Sequence, residues 1–415
     1  MQAATNQKDD TTISRMGWIV SVTVFIALVV DGCDTQMLSL ALSLIASDFN
    51  LSSVLAGSLG SVTFAGMMAG GILGGWLADR VGRIKVIGWG ILLFSFGTAA
   101  LGITQNYWQF AIIRFFSAFG LTVVYSIGTM LAAEYIPTKR RTTVLGTLQA
   151  AWSVGYIAAA ILSAGMLPIY GWRPMFFLAI IPSFLALIVL RYIKEPESWQ
   201  LARAGLKAKP DRKNEWATIW ADNGIRRIFL LWIVTNFFLT FGYFGANVWL
   251  PSYVVKDLGI SLKSMGWFVA GSYTAMVFGK VIAGYFADKF GRKIVYAVSC
   301  IATAIAMPLI VKFATPENCP WLLLIFGFCY GAPWAINATY MSESFPTSIR
   351  GTAVTTAYSL GRIGSIVSPM FVGYIASNYS IGAGIGILGI GFFLCGLMPL
   401  LFIPEKLYDP KSDTK

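Results

Sequence analysis

Apolar residues fall along this chain in runs of about twenty, the length an α-helix needs to cross a bilayer. Such runs occupy 17–44, 53–78, 86–105, 108–133, 143–168 and 174–193. After a polar segment they resume at 228–252, 264–287, 294–313, 319–342, 352–376 and 382–404. The pattern predicts an all-α membrane protein of twelve transmembrane helices. An even number of passes returns both termini to the same side of the bilayer.

The charges between the runs orient it. Lys8, Arg15, Arg80, Arg83, Lys85, Lys139, Arg140, Arg141, Lys289, Arg292, Lys293 and Arg350 all lie in the tails or in loops on the terminal side. The segment 194–227 adds Arg203, Lys207, Lys209, Arg212, Lys213 and Arg226 to that side, and the opposite loops carry only Arg173, Lys256, Lys263 and Lys312. Basic loops stay cytoplasmic. The expected layout is a cytoplasmic tail at 1–16, a six-helix bundle at 17–193, a basic cytoplasmic loop at 194–227, a second bundle at 228–404 and a cytoplasmic tail at 405–415, in a cell inner (plasma) membrane.

Composition excludes the main alternatives. Hydrophobic residues make up 56% and charged residues 12%, too few charges for a soluble surface. The net charge of +12 is scattered between apolar runs rather than gathered on a soluble domain, so it does not indicate nucleic-acid binding. The first run has no short h-region with a small-residue cleavage site and reads as a retained helix. Cys33, Cys300, Cys319, Cys329 and Cys395 show no metal or disulfide spacing. With no nucleophile–base set or phosphate loop either, the expectation is no enzyme, no catalytic residues, no metal and no cofactor.

The chain repeats itself. Gly75-x-x-x-Asp79-Arg80-x-Gly82-Arg83 returns as Gly284-x-x-x-Asp288-Lys289-x-Gly291-Arg292, and Glu134-x-x-Pro137-x-x-x-Arg141 returns as Glu343-x-x-Pro346-x-x-x-Arg350. Asp79 to Asp288, Glu134 to Glu343 and Gly155 to Gly364 all span 209 residues. Two independent motifs in one register point to an internal duplication of six helices.

These residues resemble the major facilitator superfamily over essentially the whole chain. The paired Gly-x-x-x-Asp-(Arg/Lys)-x-Gly-Arg loops are similar to its signature between helices 2 and 3 and helices 8 and 9, with Ile84 where a basic residue is common. The resemblance implies two pseudo-symmetric six-helix bundles and a latch. In that latch Asp79 and Asp288 cap neighbouring helix N-termini, while Arg80, Arg83 and Arg292 pair with acids such as Glu134 and Glu343. Gly75, Gly284, Arg141 and Arg350 belong to the same gating set. Arg114-x-x-x-Ala118-x-Gly120 resembles the helix-4 motif of proton-coupled members, with Ala118 in place of a usual Gly. Asp31-Gly32-Cys33-Asp34 resembles the Asp-Gly-x-Asp signature of aromatic acid/proton symporters, a family that includes muconate-type carriers. The sister sialate/proton symporters share that tetrad. Ser342-Glu343-x-Phe345-Pro346-Thr347-x-x-Arg350 and Gly361-Arg362-x-Gly364 resemble both.

Ionisable residues at membrane depth are functional candidates by default. Five lie well inside the apolar runs: Asp31, Asp34, Arg114, Lys280 and Arg362. At 1.5 Å per residue Asp31 and Asp34 lie about 20 and 24 Å from the cytoplasmic end of helix 1, and Arg114 about 9 Å from the far end of helix 4, so their depths coincide. Burial favours the neutral carboxyl and a guanidinium favours the charged one, so a carboxylate that meets and leaves Arg114 loads and unloads a proton. The chain has no His, and both aspartates remain candidates. Sugar/proton symporters of this fold resemble the chain in pairing a helix-1 Asp with a helix-4 Arg.

Arg362 sits near the midplane of helix 11, with Tyr358 and Ser365 on its face. Organic-anion carriers of the superfamily resemble it in using a helix-11 Arg for a substrate carboxylate. Lys280, one turn before Gly284, is placed to snorkel to the cytoplasmic interface, the alternative being contact with a second carboxylate. Under the repeat, Asp31, Asp34, Arg114 and Arg362 fall opposite Thr240, Tyr243, Leu323 and Ser153. Proton machinery is thus expected in the first half and anion recognition in the second. Candidates for the cavity wall are Tyr125 and its repeat partner Trp334, with Trp152, Tyr156, Tyr243, Asn247 and Asn337.

The reading is a monomeric secondary transporter. It imports a small organic acid anion, an aromatic carboxylate or a ring-cleavage diacid such as muconate, with protons. A sialic acid/proton symporter and a proton-driven exporter are the alternatives. Its partners are substrate, protons and the bilayer, with no nucleic acid.

Overall fold

A computed structural model describes residues 13–136, 138–193, 195 and 212–405. Among the described residues all the regular secondary structure is helical. The first half contains α1 (Arg15–Asp48), α2 (Ser53–Val81), α3 (Arg83–Leu101), α4 (Tyr107–Tyr135) and α5 (Thr138–Tyr170), then α6 (Arg173–Phe177) and α7 (Ser183–Tyr192). A short α8 (Arg212–Ala221) leads to the second half: α9 (Asn223–Lys256), α10 (Leu262–Phe290), α11 (Arg292–Phe313), α12 (Cys319–Ser342), α13 (Thr347–Gly361), α14 (Ile363–Asn378) and α15 (Ile381–Phe402).

Three features depart from the apolar-run reading. The sixth pass is two helices joined through a 3-10 turn at Leu178–Ile180. The eleventh is broken at Arg362, so α13 and α14 meet at the residue expected mid-helix. Within the segment expected as loop, α8 is helical and packs near α9 through Trp220 and Phe229, whose rings are 6.4 Å apart.

Short polar residues start the passes by accepting otherwise unpaired amide hydrogens. Ser14 accepts from Gly17, Ser52 from Leu55, Asn106 from Gln109, Ser261 from Ser264 and Ser380 from Ala383. Ser52 and Ser261 are repeat partners, so α2 and α10 start on the same device. Among the described residues, ten passes are long and apolar enough to cross a membrane. The two that fall short are α10 and the α13–α14 pair, which carry Lys280 and Arg362. The α13–α14 pair falls short because the interruption at Arg362 leaves two helices of 15 and 16 residues, whereas α10 is long enough but carries Lys280 and Tyr, Ser and Thr along its length.

The two halves meet about the repeat axis. Ser39 Oγ donates to the backbone carbonyls of Asn247 and Val248, at 2.5 and 3.0 Å. Val248 is the repeat partner of Ser39, and two partners touch only where the axis passes between them. The contacts on the side away from the termini come in matched pairs. Gly57 of α2 lies against the Pro369 carbonyl of α14, and Gly266 of α10 lies against Ala160 of α5, where an added Cβ would sit 2.8 Å from the Ala160 oxygen. Gly57 and Gly266 are repeat partners, as are Ala160 and Pro369. Backbones this close leave no room for a side chain, so that side of the molecule is sealed by small residues.

Gly57→Leu should therefore prise the sealed side open. A reporter cysteine replacing Ser39, in a background without native cysteines, should become reactive to a bulky membrane-impermeant maleimide in the Gly57→Leu variant. Unchanged labelling would mean that this contact does not close the pathway.

Candidate functional site

In the first half, α1, α2 and α4 converge on a fully buried guanidinium. Arg114 Nη1 lies 2.9 Å from Asp34 Oδ2, its Nη2 donates to the Asp34 carbonyl at 3.3 Å, and its Nε donates to Thr63 Oγ1 at 3.1 Å. Arg114 is 0% exposed and Asp34 2%, so no water screens the pair. Sequence depth left Asp31 and Asp34 equally suited to Arg114; the structure gives the ion pair to Asp34.

Asp31 has a different environment. Its Oδ2 accepts from Trp152 Nε1 at 2.8 Å, and its Oδ1, equally buried, has no partner. The contact depends on close helix packing, because a Cβ on Gly32 would lie 2.5 Å from the Trp152 carbonyl. The glycine of the Asp-Gly-x-Asp tetrad thus brings α5, with Trp152 and Ser153, onto the acids.

Aromatic rings continue from there across the molecule. Tyr125 packs on Trp152 (6.0 Å between centroids), Trp152 on Tyr156 (5.6 Å) and Tyr156 on Tyr273 of the second half (5.1 Å). Tyr243 stacks on Tyr330 at 4.4 Å and meets Trp334 at 5.0 Å, and Trp334 faces Tyr358 at 6.3 Å. The Arg362 guanidinium lies 5.6 Å from the Tyr358 ring centre. Arg362 and Tyr358 both lie within electrostatic reach of Tyr125, and Arg362 within reach of Asp31. Among the described residues Arg362 forms no ion pair. Ser365, expected beside it, turns its hydroxyl back to the Arg362 carbonyl at 2.6 Å and spans the helix break.

Lys280 departs from the snorkelling expectation. Phe278, Val281, Ile282 and Tyr285 form the exposed, lipid-facing side of α10, while Tyr273, Met276, Ala283 and Ala287 are buried. Lys280 continues the buried row at helical spacing, and its Nζ donates to Ser153 Oγ of α5 at 3.1 Å. Asn247 is buried, its Nδ2 donating to the Tyr273 hydroxyl at 3.5 Å. Gln36 donates to the same hydroxyl and leaves its own Oε1 unpartnered. Gln36, Tyr273 and Gln149, which donates to Tyr125 at 2.8 Å, were not among the sequence candidates. A search for charge at membrane depth passes over amides and tyrosines, although Gln36 lies only five residues after Asp31.

The sequence matches the Major Facilitator Superfamily over residues 24–262 and 235–415. The chain belongs to the Major Facilitator Superfamily. It is similar to the cis,cis-muconate transport protein of Acinetobacter baylyi, 48% identical over 96% of this chain and 98% of that one. It also resembles the benzoate transport protein of the same species, 26% identical over 89% and 85% of the two chains. Among solved structures, a D-xylose–proton symporter superposes with a TM-score of 0.77 at 23% identity, over 94% of this chain and 98% of the other, which shows the fold. The protein is a multi-pass membrane protein with the superfamily's all-α transporter architecture, and its similar proteins are transporters rather than enzymes.

Two expectations for this superfamily member need correction. Asp288 does not cap α11. It is 76% exposed and pairs with Arg292 at 3.0 Å, whose Nε also lies 3.5 Å from Glu343 Oε1. The α11 N-terminus is capped instead by Glu405, which accepts from the Arg292 and Lys293 amides at 2.5 and 2.9 Å. Glu195 does the same for α3, accepting from Arg83 and Ile84 at 3.0 and 2.9 Å. Arg80 lies over the Trp76 ring at 4.0 Å, and Arg350 Nε donates to the Ser342 and Phe345 carbonyls. The side chains of Asp79, Glu134 and Arg141 lie outside the described residues. Gly75 and Gly284 have open space where a Cβ would be.

Asn337 is the second correction. It donates to Asn236 Oδ1 at 2.9 Å and accepts from the Tyr296 hydroxyl at 3.3 Å, within a polar knot joining α9, α11 and α12. An amide that satisfied is a helix tie, not a free cavity group. Asn337→Leu leaves Asn236 Oδ1 buried without its donor, which costs about 1–3 kcal/mol. The variant should melt at a lower temperature than the parent in detergent while ligand affinity stays within about twofold. A large affinity loss at unchanged stability would return Asn337 to the cavity wall.

Proposed function

We propose that this protein imports a small organic acid anion together with protons, by alternating access, in a cell inner membrane with both termini cytoplasmic. The observation that carries the reading is Arg362. It sits at the break between α13 and α14, against Tyr358, with no acid partner among the described residues. A cation held in that way attracts a carboxylate, and the aromatic rings around it suit an unsaturated or aromatic acid body. The 48% identity to a cis,cis-muconate transport protein and the likeness to a benzoate transport protein support the same substrate class.

Proton coupling follows from the two aspartates. Asp34 is matched by Arg114, so it serves as the fixed charge that ties α1 to α4. Each aspartate leaves its Oδ1 unpartnered, but Asp31 has only a neutral donor and no ion pair among the described residues, which makes it the proton carrier. Arg362 is within electrostatic reach of Asp31. A substrate carboxylate neutralises Arg362 and so favours a proton on Asp31, and by linkage the proton favours the substrate. Both then cross together. The basic loops on the terminal side support the orientation. With that orientation, the side where Gly57 and Gly266 bring the halves together is external.

Proteoliposomes with an imposed inward pH gradient test the coupling. Wild type should accumulate cis,cis-muconate or benzoate, and Asp31→Asn should lose accumulation while still exchanging labelled substrate at equal concentrations. Full concentrative uptake by Asp31→Asn would sink the assignment.

For Arg362, losing a charge-assisted contact in a partly desolvated cavity costs about 2–5 kcal/mol, roughly thirtyfold or more in affinity. Arg362→Ala should weaken binding of the acid but not of its uncharged amide. Arg362→Lys should recover little, because an ammonium lacks the planar fork. An unchanged acid preference in a folded Arg362→Ala protein would place the clamp elsewhere.

A further inference from the structure

Lys280 is the remaining interior cation. Among the described residues it forms no ion pair, and its single hydrogen-bond partner is the neutral Ser153 hydroxyl. The acids that could have met it are engaged elsewhere: Asp34 by Arg114, Asp31 by Trp152, Glu343 by Arg292. An ammonium inside a membrane protein without a counter-charge is costly, and is retained where a charged partner arrives in use.

Its position adds the second observation. Ser153, which holds the Lys280 ammonium, is the repeat partner of Arg362. Both lie fifteen residues into their passes, counted from Thr138 and from Thr347, and so at the same depth. The repeat axis passes between partners, as the contact between Ser39 and Val248 shows. Ser153 and Arg362 are therefore related across the axis at equal depth. The Lys280 side chain, crossing from α10 to α5, delivers positive charge to the place where the first half lacks an arginine. Two cations thus stand at matching depth in the two halves, Lys280 on Ser153 beside Trp152 and Arg362 against Tyr358.

We propose that Lys280 is a specificity-determining residue that binds the far carboxylate of a dicarboxylate whose near carboxylate is held by Arg362. This rests on the reading of Arg362 as the anion clamp given above. A monocarboxylate engages one cation and leaves the other desolvated and unmatched, whereas a diacid satisfies both. The ammonium is a compact point charge on a flexible stem, so it tolerates diacids of somewhat different length, while the guanidinium fixes the first carboxylate in one plane.

Binding to purified protein at fixed pH tests the proposal, comparing cis,cis-muconate with its monomethyl ester. Wild type should prefer the diacid by about tenfold or more, as loss of a buried charge pair implies. Lys280→Met, which keeps the length of the stem, should bring that ratio close to one, and Lys280→Arg should keep most of it. Arg362→Ala should weaken both ligands. If Lys280→Met does not fold, the wild-type ratio and Lys280→Gln decide. Equal affinity of wild type for diacid and monoester, or an undiminished ratio in a folded Lys280 variant, overturns the role of Lys280 alone. Failure of wild type to bind either acid overturns the proposed function instead.

Discussion

A charge inside this protein has no water to solvate it, so each one must find a partner in the fold or take one from outside. Arg114 finds its partners within. Asp34, its carbonyl and Thr63 surround the guanidinium, and three helices are bound together by one side chain. Removing one member of such a pair strands the other, which costs about 3–5 kcal/mol. Asp31, Lys280 and Arg362 are the complement. Each has neutral neighbours but no ion pair among the described residues, and these are the places where we propose that proton and substrate charge enter.

The duplication lays out this arrangement. Repeat partners build the scaffold twice over, in the serine caps of α2 and α10 and the glycine contacts that seal one side, and the glutamate caps on α3 and α11 match within one residue of the register. The chemistry is not duplicated. Arg114 and the aspartates belong to the first half and Arg362 to the second, and at Ser153 the first half takes its positive charge from a lysine of the second. A symmetric frame can rock about its axis between two similar closed faces. An asymmetric set of charges gives the ligands different neighbours in the two positions, which is what coupling requires.

Much of this could be read from the sequence because lipid imposes simple rules. Runs of about twenty apolar residues gave the passes, and the 209-residue register gave the two halves. The depth of Asp31, Asp34, Arg114 and Arg362 marks them as candidates. What could not be read was which neighbour each one meets. Asp31 and Asp34 lie on one face of α1, and only the close packing of Gly32 on Trp152 separates their roles. Glu195 and Glu405 escaped notice because they stand one residue out of the repeat register, beyond the last apolar run. Lys280 was misjudged by its nearness to a helix end; the row Tyr273, Met276, Lys280, Ala283 and Ala287 shows that the face decides, not the distance. Asn337 is a cavity-wall candidate in the sequence because an amide in lipid needs a partner, and its partners are Asn236 and Tyr296.

The central claim is that the organic anion and the proton cross in the same direction. It is tested most directly with a pH electrode in a weakly buffered suspension of proteoliposomes containing the wild-type protein, with no gradient imposed. On addition of cis,cis-muconate the account predicts that the external medium turns alkaline as substrate enters, and that a protonophore removes the change. Uptake of the acid with no change in external pH, or with acidification, would contradict it.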